Sequence, residues 1–411
     1  MSTTAAAMHP WRTAARRRLG VGLGTALVVL LAGACAGTDA TPQAALVPVE
    51  VPAPPASPGA AADPTTADPT TADPAASDPA TTAPAPRPSE PDPAALTPPR
   101  ADIAAPGWLP VAPDEDMPNP MVLWDDATDH YILFATQNDF FGDLLNVPWR
   151  ASRDLVTWHH PGDALPDLPP WAGEGATWAP DVMEVDGGWV LYFTARTLDS
   201  GGREGIKCIG HAVADTLTGP YRAFDEPIVC QVDRGGSIDP RTFIDDDGSR
   251  WLLWKSDDNS DLRRRDLTAI YVQRLSDDGT RLLDAPTVLF EAAYGWEGHI
   301  VEAPDLVRGP DGRLWLFYSG GWFNQPSYGI GVAECLTIAG PCERLGAGPW
   351  LGSNAQGRGP GEASLFEDTD GSLWLAYSPW AQDGPRSTPR PLAVARVGFD
   401  ATGPYLGDPS R

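Results

Sequence analysis

One strand recurs five times along the chain, at steps of 58, 62, 64 and 59 residues: Tyr131-Ile-Leu-Phe-Ala-Thr136, Trp189-Val-Leu-Tyr-Phe-Thr194, Trp251-Leu-Leu-Trp-Lys-Ser256, Trp315-Leu-Phe-Tyr-Ser-Gly320 and Trp374-Leu-Ala-Tyr-Ser-Pro379. Each copy follows turn chemistry, namely Asp125-Asp126, Asp186-Gly187-Gly188, Asp246-Asp247-Gly248, Asp311-Gly312 and Asp370-Gly371. After four of them comes a further short strand: Ile209–Val213, Ile270–Gln273, Ile330–Ala333 and Leu392–Ala395. A unit of this size cannot bury both faces of its strands alone, so five tandem copies predict an all-β, five-bladed β-propeller. The Asp245-Asp-Asp-Gly248 run lacks the alternating ligand spacing of a calcium loop and is read as a hairpin turn.

Equal offset from the repeated strand means equal position on a blade. Twelve residues before each copy stand Asn119, Thr177, Asp239, Ala303 and Glu362, with Glu302 one position earlier than Ala303. This position precedes the second strand by one hairpin. It therefore falls on the innermost strand and lines the central channel. Carboxylates that converge on one axis repel, and must be offset or used. A converging acid pair is the apparatus of glycoside hydrolysis, in which one acid protonates the leaving oxygen while a carboxylate activates water.

The remainder of the chain bounds the setting. Residues 1–34 carry Arg12, Arg16, Arg17 and Arg18, then the apolar run Leu19–Leu31, then small residues, and read as a lipoprotein-type export signal. Cys35 is the expected lipid acceptor, although the branched residue, Leu31, lies one position further upstream than in the usual pattern; ordinary secretion is the alternative. Residues 35–100 are Pro, Ala, Thr and Asp without apolar periodicity and read as a disordered tether, leaving 101–411 to fold. With 29 Lys+Arg against 55 Asp+Glu, no basic stripe exists for nucleic acid. Of the 16 Trp, 15 lie from Trp108 onward, which suits neutral sugars and inter-blade packing. Four further cysteines follow Cys35, and proximity favours Cys208–Cys230 and Cys335–Cys342 among three pairings. The six His form no metal-like cluster.

Residues 103–403 resemble glycoside hydrolase family 43 in Trp178-Ala-Pro-Asp181, Ser237-Ile-Asp239-Pro with Asp245-Asp-Asp-Gly, Val301-Glu302-Ala-Pro, Ser152-Arg-Asp-Leu-Val-Thr-Trp158 and Leu217-Thr-Gly-Pro-Tyr221. The resemblance implies an exported, inverting hydrolase of arabinofuranosides or xylosides, lipid-anchored at the outer face of the cytoplasmic membrane or secreted. Its substrate would be an oligosaccharide or polysaccharide, and it would work as a monomer, touching the membrane only through Cys35. Glu302 matches the general acid and Asp239 the carboxylate that tunes it. The family's base is the Asp of a Pro-Asp-Pro, where this chain reads Pro118-Asn119-Pro120. An amide cannot take the proton, so Asp116 and Asp181 are the candidate substitutes. A catalytically weak, glycan-binding propeller is the alternative. Many members have His beside a calcium where this chain has Glu362. That residue is expected either to ligate a structural calcium in the channel or to pair with Arg358; no cofactor is otherwise required. Trp178, Trp322, Phe323, Asp181 and Arg358 are the expected sugar contacts.

Overall fold

The computed structural model describes residues 109–111, 116–137, 144–198, 204–260, 266–354, 357–380 and 389–407; the export signal, Cys35 and the tether lie outside them. Strand β1 (Leu109–Val111) comes first but does not open the first blade. Blade 1 is β2 (Met121–Asp125), β3 (His130–Phe134), β4 (Pro148–Ser152) and β5 (His159–Asp163), and blade 2 is β6 (Trp178–Val185), β7 (Gly188–Leu198), β8 (Glu204–Ala214) and β9 (Arg222–Ala223). Blade 3 is β10 (Ser237–Ile244), β11 (Arg250–Ser256), β12 (Ala269–Leu275) and β13 (Leu282–Glu291), and blade 4 is β14 (Val301–Arg308), β15 (Leu314–Gly320), β16 (Gly329–Cys335) and β17 (Cys342–Arg344). Each is an antiparallel meander paired in chain order. Blade 5 runs β18 (Arg358–Glu367), β19 (Leu373–Trp380), β20 (Leu392–Asp400), then β1, with β21 (Gly403–Leu406) also on β20. Blade 5 is thus completed by a strand that precedes blade 1, so the ring is closed by main-chain pairing, Leu109 facing Val394.

The repeated strand is the second strand of every blade, and it reads as a continuous apolar run because both of its faces are buried. Successive side chains point to opposite sides. Leu191 and Phe193 of β7 therefore pack with Ile132 and Phe134 of blade 1, while Val190 and Tyr192 pack with Leu252 and Trp254 of blade 3. The same alternation builds the core between blades 3 and 4 around Leu253 and Leu316. It places Phe317 against Leu375 between blades 4 and 5, and Leu133 with Trp374 between blades 1 and 5. One core lies between each adjacent pair of blades. The disulfides Cys208–Cys230 and Cys335–Cys342 form as paired above, and Asp245–Ser249 closes the β10–β11 hairpin as a turn.

The innermost strands share one departure from regular geometry. Asn119, Ala179, Asp239, Ala303 and Glu362 all sit in the left-handed region, with φ of 52, 47, 57, 48 and 59°. A proline follows the first four, and having no N–H it cannot continue the ladder. Pairing accordingly skips from Ile238↔Lys255 to Arg241↔Leu253 and from Glu302↔Ser319 to Asp305↔Phe317. In blade 2 the matched residue is Ala179, not Thr177 as the offset of twelve predicts. There Val185 faces Gly188 across a tighter turn than the one between Ile244 and Arg250 in blade 3, which shortens the count.

Each left-handed residue donates its N–H to a side chain of the preceding blade. Ala179 N bonds Thr136 Oγ1 (3.0 Å), Asp239 N bonds Thr194 Oγ1 (3.2 Å), and Ala303 N bonds Asp239 Oδ2 (3.0 Å). Glu362 N bonds Ser319 Oγ (2.8 Å), and Asn119 N bonds Glu362 Oε2 (2.7 Å), closing the circle from blade 5 to blade 1. A left-handed non-glycine residue costs about 1–2 kcal/mol, and a hydrogen bond returns about 1 kcal/mol net. The two terms nearly cancel, so each bulge depends on the blade beside it. Thr194 is fully buried, and Thr194→Val should leave Asp239 N without an acceptor. Urea unfolding is expected to show a loss of about 1–3 kcal/mol.

Candidate active site

The five bulges ring one mouth of the channel, and a cavity of about 400 Å³ opens over them. Its wall includes Asp116, Asn119, Trp178, Asp239, Glu302, Phe323, Glu362, Trp380 and Arg390. Glu302 and Trp178 occupy the same place on their blades, one residue before the left-handed position, while Asn119, Asp239 and Glu362 occupy that position itself. Of the residues placed by the offset of twelve, Asn119, Asp239 and Glu362 reach this wall, together with Glu302; Thr177 and Ala303 do not line it.

Charge at this mouth is arranged around Lys255, which is buried in β11 with its Nζ 2.7 Å from Glu302 Oε2. Burial works against its ammonium, but Glu302, Asp257 and Asp239 outweigh it and hold the proton more tightly than usual. Tyr328 donates its hydroxyl to Glu302 Oε1 at 2.7 Å. Burial, with the Glu302 and Glu362 charges, pushes that hydroxyl far above its ordinary range, so it remains a donor. Asp239 is pushed up to about 7, first by burial and then by Glu302, against the pull of Lys255 and the Ala303 N–H. The like charge of Glu302 thus favours the neutral form of Asp239. The sequence reading made Asp239 the tuner of Glu302; the structure shows the influence running the other way as well, with Asp239 itself raised.

Glu362 is buried, with Arg390 Nη1 2.5 Å from Oε1 and the Asn119 N–H on Oε2. Burial raises its pKa and Arg390 only partly opposes this. The expected partner, Arg358, is exposed at the start of β18 and does not line the cavity. With a guanidinium against Glu362, the residues present do not make a calcium cradle there. Among the described residues no group of three or more His, Cys, Asp or Glu side chains converges as a metal site.

Two other expected contacts lie elsewhere. Asp181 points below the ring, where Arg241 Nη1 is 2.8 Å from Oδ1 and Thr242 donates to Oδ2 through both N and Oγ1. It lines a larger cavity of about 810 Å³ towards the hairpin turns, not the site. The reason is register: two residues beyond a bulge the strand has passed the mouth. In that cavity Asp181 and Asp305 are both held by Arg241. Trp322 is exposed and outside the cavity wall, whereas its neighbour Phe323 lines it. Trp178 is in the wall with Lys207 Nζ 5.0 Å from its ring centroid.

Three participants were not anticipated. Lys255 carried a signal, being the only charge among the five repeated strands. Tyr328 and Arg390 carried none, because both precede the third strand of a blade in loops without a repeated pattern.

Known proteins share this architecture. The family described as Glycosyl hydrolases family 43 matches residues 110–405. Xylosidase/arabinosidase 43A of Humicola insolens is 37% identical over 134 residues, 32% of this chain and 36% of that protein, so the matched stretch spans about a third of the relative. Beta-D-galactofuranosidase xynD of Aspergillus niger is 25% identical over 288 residues, covering 67% of this chain and 78% of the relative. Among solved structures, a thermostable family-43 glycoside hydrolase superposes with a TM-score of 0.61 at 23% identity, covering 73% of this chain and 96% of its own.

The raised pKa of Asp239 can be tested directly. Glu302→Gln removes the like charge that helps hold the proton on Asp239 and leaves Lys255 pulling on it. Carboxyl-carbon NMR titration should find a group near 7 in the unaltered protein, and should find it shifted to lower pH in the variant. An unmoved titration would show that burial alone sets it.

Proposed function

Since the chain belongs to glycosyl hydrolase family 43, and so to hydrolases of O-glycosyl bonds, we propose that it cleaves arabinofuranosides or xylosides with inversion at the anomeric carbon. The observation that carries this reading is the pair of carboxyls Asp239 and Glu302, facing a single cavity beside Trp178 and Phe323. Relatives named as a xylosidase/arabinosidase and as an extracellular exo-alpha-(1->5)-L-arabinofuranosidase, from Streptomyces avermitilis, support the sugar class.

In this mechanism the sugar stacks a CH face on Trp178 and Phe323. Glu302 gives its proton to the leaving oxygen as the glycosidic bond breaks and regains one from solvent afterwards, while Asp239 acts on it through its charge and position. Lys255 and Tyr328 fix the Glu302 carboxyl in place. Water enters on the opposite face of the ring. Export, with Cys35 lipidated and residues 35–100 as a spacer, is part of the same reading; it is supported by the two disulfides and by the extracellular relatives. The protein acts as a monomer on this reading.

Glu302→Gln should lower hydrolysis of unactivated glycosides about 10²–10⁴-fold. Aryl glycosides with good leaving groups should lose less, since they need no proton. Equal losses on both would remove Glu302 from the acid role. Asp239 gives up its proton as pH rises through about 7, so kcat/KM on unactivated substrates should show an inflection there. Binding of oligosaccharide without turnover of any pentoside would favour the glycan-binding reading, which Asn119 alone supports.

A further inference from the structure

We propose that Glu362 is the general base of this site, taking the water proton that the residue at 119 cannot take. The inference rests on the hydrolase reading above and adds to it the residue that reading leaves unassigned. Asn119 holds no base, and Thr136 donates to its Oδ1 at 2.8 Å, so what it offers a water is its amide N–H. Four carboxylates line the cavity. Glu302 serves as the acid and is held by Lys255 and Tyr328, and Asp239 accepts from Ala303 N beside it. Asp116 is exposed on the segment before β2 and accepts from Arg390 N.

Glu362 remains, and its place is specific. It stands at the left-handed position of the blade adjoining blade 1, and its Oε2 is 2.7 Å from the backbone nitrogen of Asn119. The carboxylate missing from the blade 1 side chain is thus supplied by blade 5, against the same residue. The two departures from the family pattern, amide at 119 and carboxylate at 362, form one contact. Arg390 on Oε1 fixes the orientation, and each carboxylate oxygen keeps a second lone pair for a proton.

The step balances. The water oxygen bonds to the anomeric carbon as one water proton passes to Glu362. The glycosidic carbon–oxygen bond breaks with its electron pair on the leaving oxygen, which takes the proton from Glu302. The sugar departs inverted, Glu362 loses its proton to solvent, and Glu302 regains one.

The test measures full-length protein on aryl and unactivated arabinofuranosides and xylosides. Glu362→Gln should cut kcat at least 10²-fold, with turnover restored by added azide as the glycosyl azide of inverted configuration. Adding Asn119→Asp to Glu362→Gln should recover activity at least tenfold, because it returns a carboxylate to blade 1. Should Glu362→Gln not fold, as judged by its thermal transition, Glu362→Asp keeps the charge beside Arg390 but withdraws the oxygens, and should lower kcat with KM little changed. Near-normal activity of either variant, with the loss found in Asp116→Asn instead, overturns the assignment but leaves the hydrolase reading standing. So does a slow wild type that Asn119→Asp alone accelerates 10²-fold. If the wild type and Asn119→Asp bind oligosaccharide yet hydrolyse nothing, the proposal falls together with that reading.

Discussion

The site depends on a circle of five hydrogen bonds in which each blade holds the strained backbone of the next. A single blade would relax its bulge, because the left-handed residue costs about as much as one hydrogen bond returns. Closed into a ring, the bulges persist and turn side chains into the mouth that a regular strand would send into the inter-blade cores. Asp239 and Glu362 both belong to this circle and to the cavity wall. The same carboxylates therefore hold the ring together and line the cavity.

Two charge clusters lie along the channel, and they differ in how far they are closed. Below the bulges, Arg241 sits between Asp181 and Asp305, both buried, with Thr242 and the Leu365 N–H filling the remaining acceptors. Burial raises the pKa of both acids, and Asp305 is pushed up to about 7. That cluster is a plug. At the mouth, the cations Lys255 and Arg390 face Asp239, Glu302, Glu362 and Asp116, so a negative excess is kept beside an open cavity.

Much of this was legible in the sequence. Apolar runs flanked by Asp-Gly turns revealed the blades, because a strand buried on both faces leaves no polar alternation to hide it. Counting from those runs located Asn119, Asp239, Glu302 and Glu362. It failed by two residues in blade 2, where a shorter hairpin shifts Ala179 into place; Asp181, expected at the site from its motif and not from the count, lies past the bulge and under the ring. Arg390 and Tyr328 were invisible for a different reason. Their roles come from loops meeting in space, Arg390 beside Glu362 and Tyr328 beside Glu302, and no spacing along the chain records that.

The pairing of β1 with β20 also sets a clock. Leu109 finds its partner only when Val394 exists, and at about 5–20 residues per second of synthesis the wait is roughly a quarter of a minute to a minute. Throughout that interval the early blades stand as an open arc whose first and last faces are apolar and unpaired. An open arc of this kind can add a blade from another chain as readily as its own. The fold is therefore open to misassembly for as long as β1 waits for β20.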